Sequence, residues 1–399
     1  MRSKFIIQIL ILFVFICGCK PMAKDDRHLH HANALDIIIP QADDMDIDSL
    51  VAEWDTLRLE AFSESLLSGI NKVEVTDDKL YILDGSSSLL FIFNKEGDYI
   101  NKISNQGQGP REYIRIFDFE VDKINHRILA TDAFSKRIFI YDTIGNLQNV
   151  IPLNFPPFHI SSDISKRLIH LCSTAKDFQV SNLAENNVAI LNEEGSIEEA
   201  FLKDETPKRL DLIPILSNHV TPDGEILYMP AFSDVIYRIH DTDAIPEYVL
   251  DYQNGKKRLT AKDKNEIFYR FDQNNVVEYE KDNYFISDGT FFNSDSLLIL
   301  PSGFEQRTHT IYSKRHRKSV SINTRHLKGD KALCELVMTC PAAIRDEWIY
   351  IGGSGDMAAY LLTLKPENPK IRHFLQSIRE DDNPCIIRYK LKSNIFEGS

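Results

Sequence analysis

A glycine-rich stretch, Asn105–Tyr113, contains residue types that hold phosphate groups in many proteins. A phosphate loop needs Gly-Lys-Ser/Thr at the start of a helix, whereas here Pro110 follows the glycines and the next segment is rich in β-formers. We therefore predict that Gly107 and Gly109 form a turn between strands and bind no nucleotide. Arg111 and Tyr113 become candidate ligand-binding residues, because arginine pairs bidentately with carboxylates and tyrosine stacks on sugar faces.

Two aspartates, Asp84 and Asp132, follow similar short β-rich runs and precede similar turns. The favoured interpretation is that each accepts hydrogen bonds from turn amides. The alternative is a ring of carboxylates that binds a cation, although Pro230 occupies this position in another copy of the pattern. The histidines are scattered and are interpreted as surface or hydrogen-bonded core residues: His126, His159, His170, His219 and His240. The sequence thus predicts no catalytic residue, no metal site and no cofactor.

Two other stretches could carry chemistry. Ser354 lies within Gly352–Asp356, but the Gly-x-Ser-x-Gly pattern of a nucleophile is incomplete, so a flexible turn is predicted. Lys314–Lys318 is a dense basic cluster on an acidic chain. We interpret it as a solvated hairpin tip, and a docking patch for an acidic partner or acidic glycan is the alternative.

The amino terminus has the pattern of an export signal. Two basic residues precede the apolar run Phe5–Ile16, and Cys17-Gly18-Cys19 follows it. The run is shorter than the roughly 20 apolar residues of a membrane-spanning helix. Ile16–Cys19 resembles a bacterial lipobox, which predicts a signal peptide at 1–18, lipid on Cys19 and a membrane anchor. An ordinary secretory signal is the alternative. The polar residues that follow predict a flexible tether over 19–49.

Charge and cysteine content narrow the possible partners. The net charge is −13, and it becomes −15 when Arg2 and Lys4 leave with the signal peptide. This acidic balance argues against nucleic acid as a partner. The mature chain retains Cys172, Cys334, Cys340 and Cys385 without CxxC spacing, so a zinc site is not expected. Most are interpreted as free thiols, and a Cys334–Cys340 pair stays open.

An internal repeat dominates the rest of the chain. Residues 83–97 align without a gap with residues 131–145, so that Asp84 matches Asp132 and Gly97 matches Gly145. Gly195 lies 50 residues after Gly145. Each copy holds short β-rich runs separated by polar turns, and repeats of this length with about four strands are typical of propeller blades.

Six blades fit the length, which predicts an all-β, six-bladed β-propeller over residues 50–392. The early strand Glu53–Leu59 is left unpaired and is predicted to complete the last blade, which closes the ring. The sequence also predicts a helical insertion at Thr260–Glu280 and a helix around His373–Glu380. The six blades are expected at residues 68–103, 112–153, 158–202, 219–252, 284–322 and from 347 to 391.

The glycine-rich turn, the Asp132–Gly145 pattern and the carboxy-terminal strand ending at Lys390 together resemble the six-bladed propeller lipoproteins of anaerobic Gram-negative gut bacteria, relatives of NHL-type propellers. Arg111 departs from this pattern, because a small residue is expected there. The resemblance covers residues 50–392 and implies a propeller fold and an outer-membrane location facing the periplasm or the cell surface. It implies no agreed reaction.

Two function classes remain open from the sequence. The favoured hypothesis is a membrane-anchored binding or scaffold module for a glycan, a peptide or an envelope protein. The alternative is an envelope hydrolase or lyase acting on a carbohydrate or lactone at the propeller channel. No constellation with the spacing required for acid–base or nucleophilic catalysis is readable, which favours binding.

Overall fold

The computed structural model describes residues 34–163, 167–171, 186–203, 225–252, 257–260, 262–264, 266, 279, 284–303, 308–323, 325–379 and 382–397. The chain folds into six small sheets of four strands each, arranged as a six-bladed β-propeller, as the repeat predicts. The first described elements are β1 (Leu35–Ile38), β2 (Met45–Asp46), helix α1 (Ile47–Leu50) and β3 (Val51–Leu57).

Blades 1 to 3 are antiparallel meanders of four consecutive strands. Blade 1 contains β4 (Lys72–Val75), β5 (Lys79–Asp84), β6 (Leu89–Asn94) and β7 (Tyr99–Ile103). Blade 2 contains β8 (Asp118–Asp122), β9 (Arg127–Asp132), β10 (Arg137–Asp142) and β11 (Leu147–Pro152). Blade 3 contains β12 (His159–Ser162), β13 (Leu168–Leu171), β14 (Asn186–Leu191) and β15 (Ile197–Lys203).

Blades 4 to 6 carry the additions. The described strands of blade 4 are β16 (Ile226–Tyr228), β17 (Val235–His240) and β18 (Asp243–Asp251). Blade 5 contains β19 (Phe292–Asn293), β20 (Leu297–Ser302), β21 (Thr308–Ser313) and β22 (Lys318–Asn323). There follow β23 (Leu327–Lys328), α2 (Lys331–Met338), β24 (Ala343–Arg345), β25 (Trp348–Gly353), α3 (Gly355–Thr363), α4 (Pro369–Ser377), β26 (Cys385–Leu391) and a 3₁₀ turn (Ser393–Phe396).

The amino-terminal strand closes the ring, as predicted. Strand β3 pairs antiparallel with β26 and is the outermost strand of blade 6, after β24 and β25. Trp54 lies opposite Tyr389, and the two rings are 5.3 Å apart. Strands from the two ends of the described chain therefore share one sheet, so that opening the ring would break this ladder of hydrogen bonds.

The predicted tether over 19–49 is too long, because its last part, from Leu35, forms strands β1 and β2 and helix α1. Strand β1 pairs in parallel with β18 and adds an outer strand to blade 4. Ile37 is fully buried, and Ile39 donates its amide to the carbonyl of Asp251. The apolar run at Leu35–Ile39 thus belongs to the propeller, and β2 continues the contact by pairing with β23.

The predicted helices are found in part. Helix α4 corresponds to the predicted helix around His373–Glu380. Of the predicted insertion Thr260–Glu280, residues 262–264, 266 and 279 are helical, and most of the rest lies outside the described residues. Helices α2 and α3 were not expected, and they pack with α4 over the core of blades 5 and 6.

The two faces of the ring differ in their connections. We call the upper face the end that carries the inter-blade loops and the turns between second and third strands. The lower face carries the other hairpins, where Gly97, Gly145 and Gly195 have φ angles of 93°, 89° and 82°. These angles confirm that the repeated glycine provides the positive φ of a tight hairpin. The first strand of a blade lies closest to the central axis.

Candidate functional site

The glycine-rich turn is built around the side chain of Glu112. Its Oε2 accepts a hydrogen bond from the amide of Gly109 at 2.8 Å. A β-carbon on Gly107 would overlap the same carboxylate oxygen. The turn is closed by the amide of Gly107 donating to the carbonyl of Tyr113, and by the amide of Tyr113 donating to Asn105. The glycines therefore make room for a carboxylate of the chain itself, which agrees with the predicted structural role.

Tyr113 does not have the position that a sugar-stacking residue needs. Its side chain is fully buried, its ring packs edge-to-face on Phe139, and its hydroxyl donates to the carbonyl of Ile103 at 3.1 Å. Because no ring face reaches solvent, the predicted stacking of Tyr113 on a ligand is wrong. The residue belongs to the core between blades 1 and 2.

Arg111 is exposed, but it lies away from the central axis. Its guanidinium donates to the carbonyl of Leu147 at 3.3 Å, and Leu147 begins the outermost strand of blade 2. The structure therefore does not bring Arg111 to the mouth of the channel. A ligand contact of Arg111 at this outer edge stays a prediction.

Asp84 and Asp132 have the favoured turn-capping role. Asp84 Oδ1 accepts from the amides of Ser86 and Ser87, and Asp132 Oδ1 accepts in the same way from Phe134 and Ser135. The second oxygen of each carboxylate accepts a hydrogen bond from a backbone amide of the preceding inter-blade loop. The donor is Ser68 for Asp84 and Ile114 for Asp132. These aspartates join each upper turn to its loop.

The inner strands of blades 1 to 3 carry a buried polar cluster that we call the inner polar wall. Lys72 Nζ lies 2.8 Å from Asp118 Oδ1 and 3.4 Å from Glu74 Oε1, and it donates to the carbonyl of Phe119 at 2.6 Å. His159 Nδ1 lies 3.0 Å from Asp118 Oδ2. Asp118, in β8, therefore connects three neighbouring blades, because it contacts Lys72 of β4 on one side and His159 of β12 on the other.

Electrostatics explain why these groups tolerate burial. Burial alone would raise the pKa of Asp118, but the Lys72 ammonium and the His159 contact outweigh it and lower this pKa to about 2. Burial alone would lower the pKa of Lys72, but the carboxylates of Asp118 and Glu74 outweigh it and raise this pKa. The pair is thus charged in the folded protein, as a buried and hydrogen-bonded ion pair requires.

Glu120, also in β8, has the opposite electrostatic environment. Burial and then the nearby Glu74 carboxylate raise the pKa of Glu120 to about 8, against the lowering effect of its hydrogen bonds and of Lys72. Its Oε2 accepts from the hydroxyl of Ser161 and its Oε1 from the amide of Ser162 at 3.1 Å. Below this pKa the side chain is uncharged, so Glu120 links blades 2 and 3 as a neutral acid.

Above the inner polar wall lies a group of three aromatic rings and one guanidinium that we call the upper aromatic cluster: Phe117, Phe134, Phe158 and Arg115. The ring of Phe117 is 5.2 Å from that of Phe134 and 5.6 Å from that of Phe158. The guanidinium of Arg115 stands 5.5 Å from the Phe117 ring. Phe134 is 59% exposed and packs on Phe117, so this turn presents ring surface to solvent next to a second aromatic side chain.

The position of this cluster follows from the chain. Phe117 and Phe158 immediately precede Asp118 and His159, the first residues of the inner strands β8 and β12. Phe134 stands in the upper turn of blade 2. The cluster therefore lies at the upper ends of two inner strands, close to the axis, with ring faces for apolar contact and a guanidinium for carboxylate or hydroxyl groups.

The remaining predicted chemistry is placed as follows. Ser354 is the amino-terminal cap of α3 and accepts from the amide of Met357, so the predicted flexible turn is wrong there and no nucleophile arrangement forms. Lys314–Lys318 is the hairpin between β21 and β22, as predicted, and His316 stacks on Phe396. Cys334 and Cys385 are free thiols, so Cys334 forms no disulfide with Cys340, whereas Cys19 and Cys172 lie outside the described residues.

The histidines agree with their interpretation where they are described. His126 and His240 are exposed, and His159 is buried against Asp118. The side chain of His170 and all of His219 lie outside the description. Within the described part of the chain, no group of three His, Cys, Asp or Glu side chains is arranged to hold a metal ion.

Sequence reasoning missed the upper aromatic cluster and the inner polar wall, although both left a signal. In the gapless repeat Phe134 aligns with Ser86, so a large apolar residue replaces a serine at a turn tip. Asp118–Asp122 alternates acidic and apolar residues, which is the period of a strand with one polar face. Both signals point to particular blades that differ from their neighbours.

These observations define the class of protein: a six-bladed β-propeller with a hydrogen-bonded inner wall and an aromatic cluster at the upper end of two blades. The chain belongs to the family described as Domain of unknown function (DUF4934), whose model matches residues 34–390. This match begins one residue before β1 and so includes the strand that pairs with blade 4. No curated protein matches the chain in sequence.

Solved structures share the fold. A candidate exported protein of Bacteroides fragilis NCTC 9343 is 16% identical, with a TM-score of 0.68 over 90% of this chain and 100% of that chain. A DUF4221 family member of Bacteroides vulgatus ATCC 8482 has a TM-score of 0.49 at 11% identity, covering 86% of this chain and 97% of that chain. A streptogramin B lyase has a TM-score of 0.38 at 11% identity, covering 85% and 98%. Among the described residues, no helix is long and apolar enough to span a membrane.

Proposed function

We propose that this protein is an exported, lipid-anchored binding module that holds a glycan against the upper aromatic cluster. The observation that carries the proposal is the exposure of Phe134 beside Phe117 and Arg115, at the upper ends of inner strands. Aromatic faces stack on the C–H faces of sugar rings, and an adjacent guanidinium donates to hydroxyl or carboxylate oxygens.

The inner polar wall supports binding over catalysis. The carboxylates of Asp118, Glu120 and Asp122 each accept hydrogen bonds from residues of the chain, and Asp122 also pairs with Arg127. Groups committed to joining blades are poorly placed to act as acid and base on a substrate. The wall therefore serves the ring, and recognition is assigned to the surface above it.

Export and anchoring rest on the amino-terminal pattern and on the fold shared with the candidate exported protein of Bacteroides fragilis. In this proposal Cys19 carries the lipid, and the propeller faces the periplasm or the cell surface. No nucleic acid is expected as a partner, because the mature chain is strongly acidic.

A glycan and peptide array tests the proposal. Wild type is compared with a variant carrying Arg115→Ala and Phe134→Ala, and with the control Phe62→Ala, which removes a 40% exposed phenylalanine from another loop. We expect glycan binding that weakens roughly three- to tenfold for each cluster residue removed and that the control retains.

Three outcomes would contradict the proposal. Glycan binding that the double variant retains would remove the cluster from the site. Binding to peptides alone would replace the ligand class with a peptide or protein partner. Turnover of any array compound would favour the alternative, a hydrolase or lyase.

A further inference from the structure

A cavity lies between blades 2 and 3, toward the lower face. It has a volume of about 420 Å³, which is near the lower end of the range for small-molecule sites, about 300–1,000 Å³. Its lining includes the lower ends of β9, β13 and β14 and the middle of β10 and β11. It is separate from the upper aromatic cluster, which belongs to the opposite face.

The cavity lies at a blade boundary where leucines stand in place of two tyrosines of the preceding boundary, and one of these leucines, Leu191, lines it. At the boundary of blades 1 and 2, Tyr81 and Tyr141 are fully buried, and the Tyr81 hydroxyl donates to the carbonyl of Thr143 at 3.0 Å. Leu129 has the position of Tyr81 one blade later, because Tyr81 pairs with Ile92 and Leu129 with Ile140. Leucine is too short to fill the space that a tyrosine ring occupies.

Leu191 likewise has the position of Tyr141. Each follows an irregularity in the pairing of the third strand with the fourth, and each lies opposite the first residue of the fourth strand. Gly195 then places its hairpin directly against Ile151 and Pro152 of blade 2, where a β-carbon would be too close. The hairpin therefore covers the outer side of a space that no ring fills.

The lining of the cavity combines an aliphatic floor with side chains that donate hydrogen bonds and side chains that accept them. The floor consists of Ile140, Ile151, Leu168 and Leu191. The polar lining residues are Arg127, Arg167, Asn149, Asn192, Glu193 and Glu198. Glu193 and Glu198 are exposed, so the cavity opens to solvent beside them.

The charges disfavour an anionic ligand. Arg127 is paired with Asp122 at 2.9 Å and Arg167 with Asp163 at 2.6 Å, so each guanidinium already faces a carboxylate of the chain. The carboxylates of Glu193 and Glu198 at the opening would repel an anion. The aliphatic floor and the two asparagine amides fit a ligand that presents an apolar face and both donates and accepts hydrogen bonds, which an uncharged polyhydroxy compound does.

We infer that this cavity is a second binding site for a neutral sugar of one or two rings. Sugar hydroxyls donate to Glu193 and Glu198 and accept from the amide groups of Asn149 and Asn192. The C–H face of the ring lies on the aliphatic floor. Specificity comes from satisfying these side-chain groups together, because each hydrogen bond that a sugar hydroxyl makes here adds to the affinity.

Saturation-transfer NMR tests the inference with glucose, galactose, N-acetylglucosamine, lactose, cellobiose and chitobiose as probes. All proteins carry Arg115→Ala and Phe134→Ala, so that the upper aromatic cluster does not contribute. Leu191→Tyr is then added, which restores the residue of the preceding blade and fills the cavity. We expect transfer to at least one probe in this background and its loss with Leu191→Tyr, while the melting temperature is retained or rises.

A matched pair of surface variants keeps the test independent of packing. Glu193→Ala removes a carboxylate of the opening, and Glu194→Ala removes its exposed neighbour on the same hairpin, which does not line the cavity. We expect about three- to tenfold weaker binding for Glu193→Ala and no change for Glu194→Ala. Absence of transfer to every probe, or transfer unchanged by both Leu191→Tyr and Glu193→Ala, would overturn the inference and leave the glycan proposal for the upper face untouched.

Discussion

Replacement of Glu120 by Gln should make the protein more stable at alkaline pH and leave it nearly unchanged at acidic pH. Glu120 is 6% exposed in the inner polar wall, with a pKa of about 8. Glutamine has nearly the same shape and mimics the protonated acid. Its oxygen can accept from the amide of Ser162, and its NH₂ group can donate to the hydroxyl of Ser161.

The magnitude follows from the shift in pKa between the unfolded and folded states. With an ordinary value of 4.5 and a folded value of about 8, the folded protein holds one more proton than the unfolded chain throughout this interval. Stability therefore falls as pH rises from 4.5 to 8, by at most about 1.4 kcal/mol per pH unit. Over the whole interval, ionisation of Glu120 lowers the free energy of unfolding by about 3–5 kcal/mol. Glutamine does not titrate, so the variant does not lose this stability.

Urea denaturation at pH 5, 6, 7, 8 and 9 measures the effect as the difference between the free energies of unfolding of Glu120→Gln and of wild type. The difference should lie within about 1 kcal/mol of zero at pH 5, where the Glu120 side chain of the folded wild type is as uncharged as the glutamine of the variant. It should grow in favour of the variant up to pH 9. Glu96→Gln, which changes an exposed carboxylate at a hairpin tip, is the control for loss of one negative charge.

A difference that stays constant from pH 5 to pH 9 would refute the reasoning, because it would mean that Glu120 titrates alike in both states. A variant that loses stability specifically at high pH would also refute it. That outcome would require Glu120 to be ionised and favourably paired in the folded protein.

Three further predictions concern the same ring. Lys72→Met leaves Asp118 without its cation and should destabilise the protein by about 3–5 kcal/mol, seen as a melting temperature lower by about 4–7 °C for a propeller of roughly 360 residues; an unchanged melting temperature would contradict it. Truncation through Leu59 removes β3 and should lower the melting temperature of the whole ring, because an open edge replaces a paired one. A truncated chain that melts at the same temperature as the full chain would contradict this prediction. Cys19→Ala should release the protein from the membrane fraction, whereas a wild type that stays membrane-bound without incorporating radioactive palmitate would contradict the lipid anchor.

The blades could be predicted from sequence because their signals are local. A hairpin needs a turn residue with positive φ between two β-rich runs, and Gly97, Gly145 and Gly195 mark that residue in three successive copies. The closing strand could be inferred as well, since Glu53–Leu59 had no neighbour in sequence with which to pair. Both inferences depend on spacing and composition, which the sequence displays directly.

The errors arose where a distant contact decides the structure. Leu35–Ile38 is short and follows a polar stretch, so nothing local indicated that it pairs with Tyr248–Asp251. Tyr113 was interpreted as a surface residue of a turn, but the loop folds back so that its ring enters the core beside Phe139. Burial of one side chain depends on the neighbouring blade, which local sequence does not describe.

The inner polar wall shows the same limit. Lys72 meets Asp118 across 46 residues, and Asp118 meets His159 across 41, which is about the length of one blade in each case. A single blade shows charged residues on one face of its inner strand but not the partners that they meet. The partners come together when several blades close around one axis, so the wall could be expected only after the ring itself had been inferred.

A repeat protein nevertheless indicates where its special functions lie, because the copies serve as references for one another. Where two copies agree, as at Asp84 and Asp132, the structure shows a shared structural role. Where blades 1 and 2 differ, the structure shows a local feature: Phe134 stands where blade 1 has Ser86 and exposes a ring, whereas Phe232 in blade 4 is buried. Leu191 replaces a tyrosine and leaves a cavity. The second replacement runs against stability, since an unfilled cavity is unfavourable in a protein core. Positions that depart from the repeat are therefore the positions at which we propose ligands, and the variants at Phe134 and Leu191 test them.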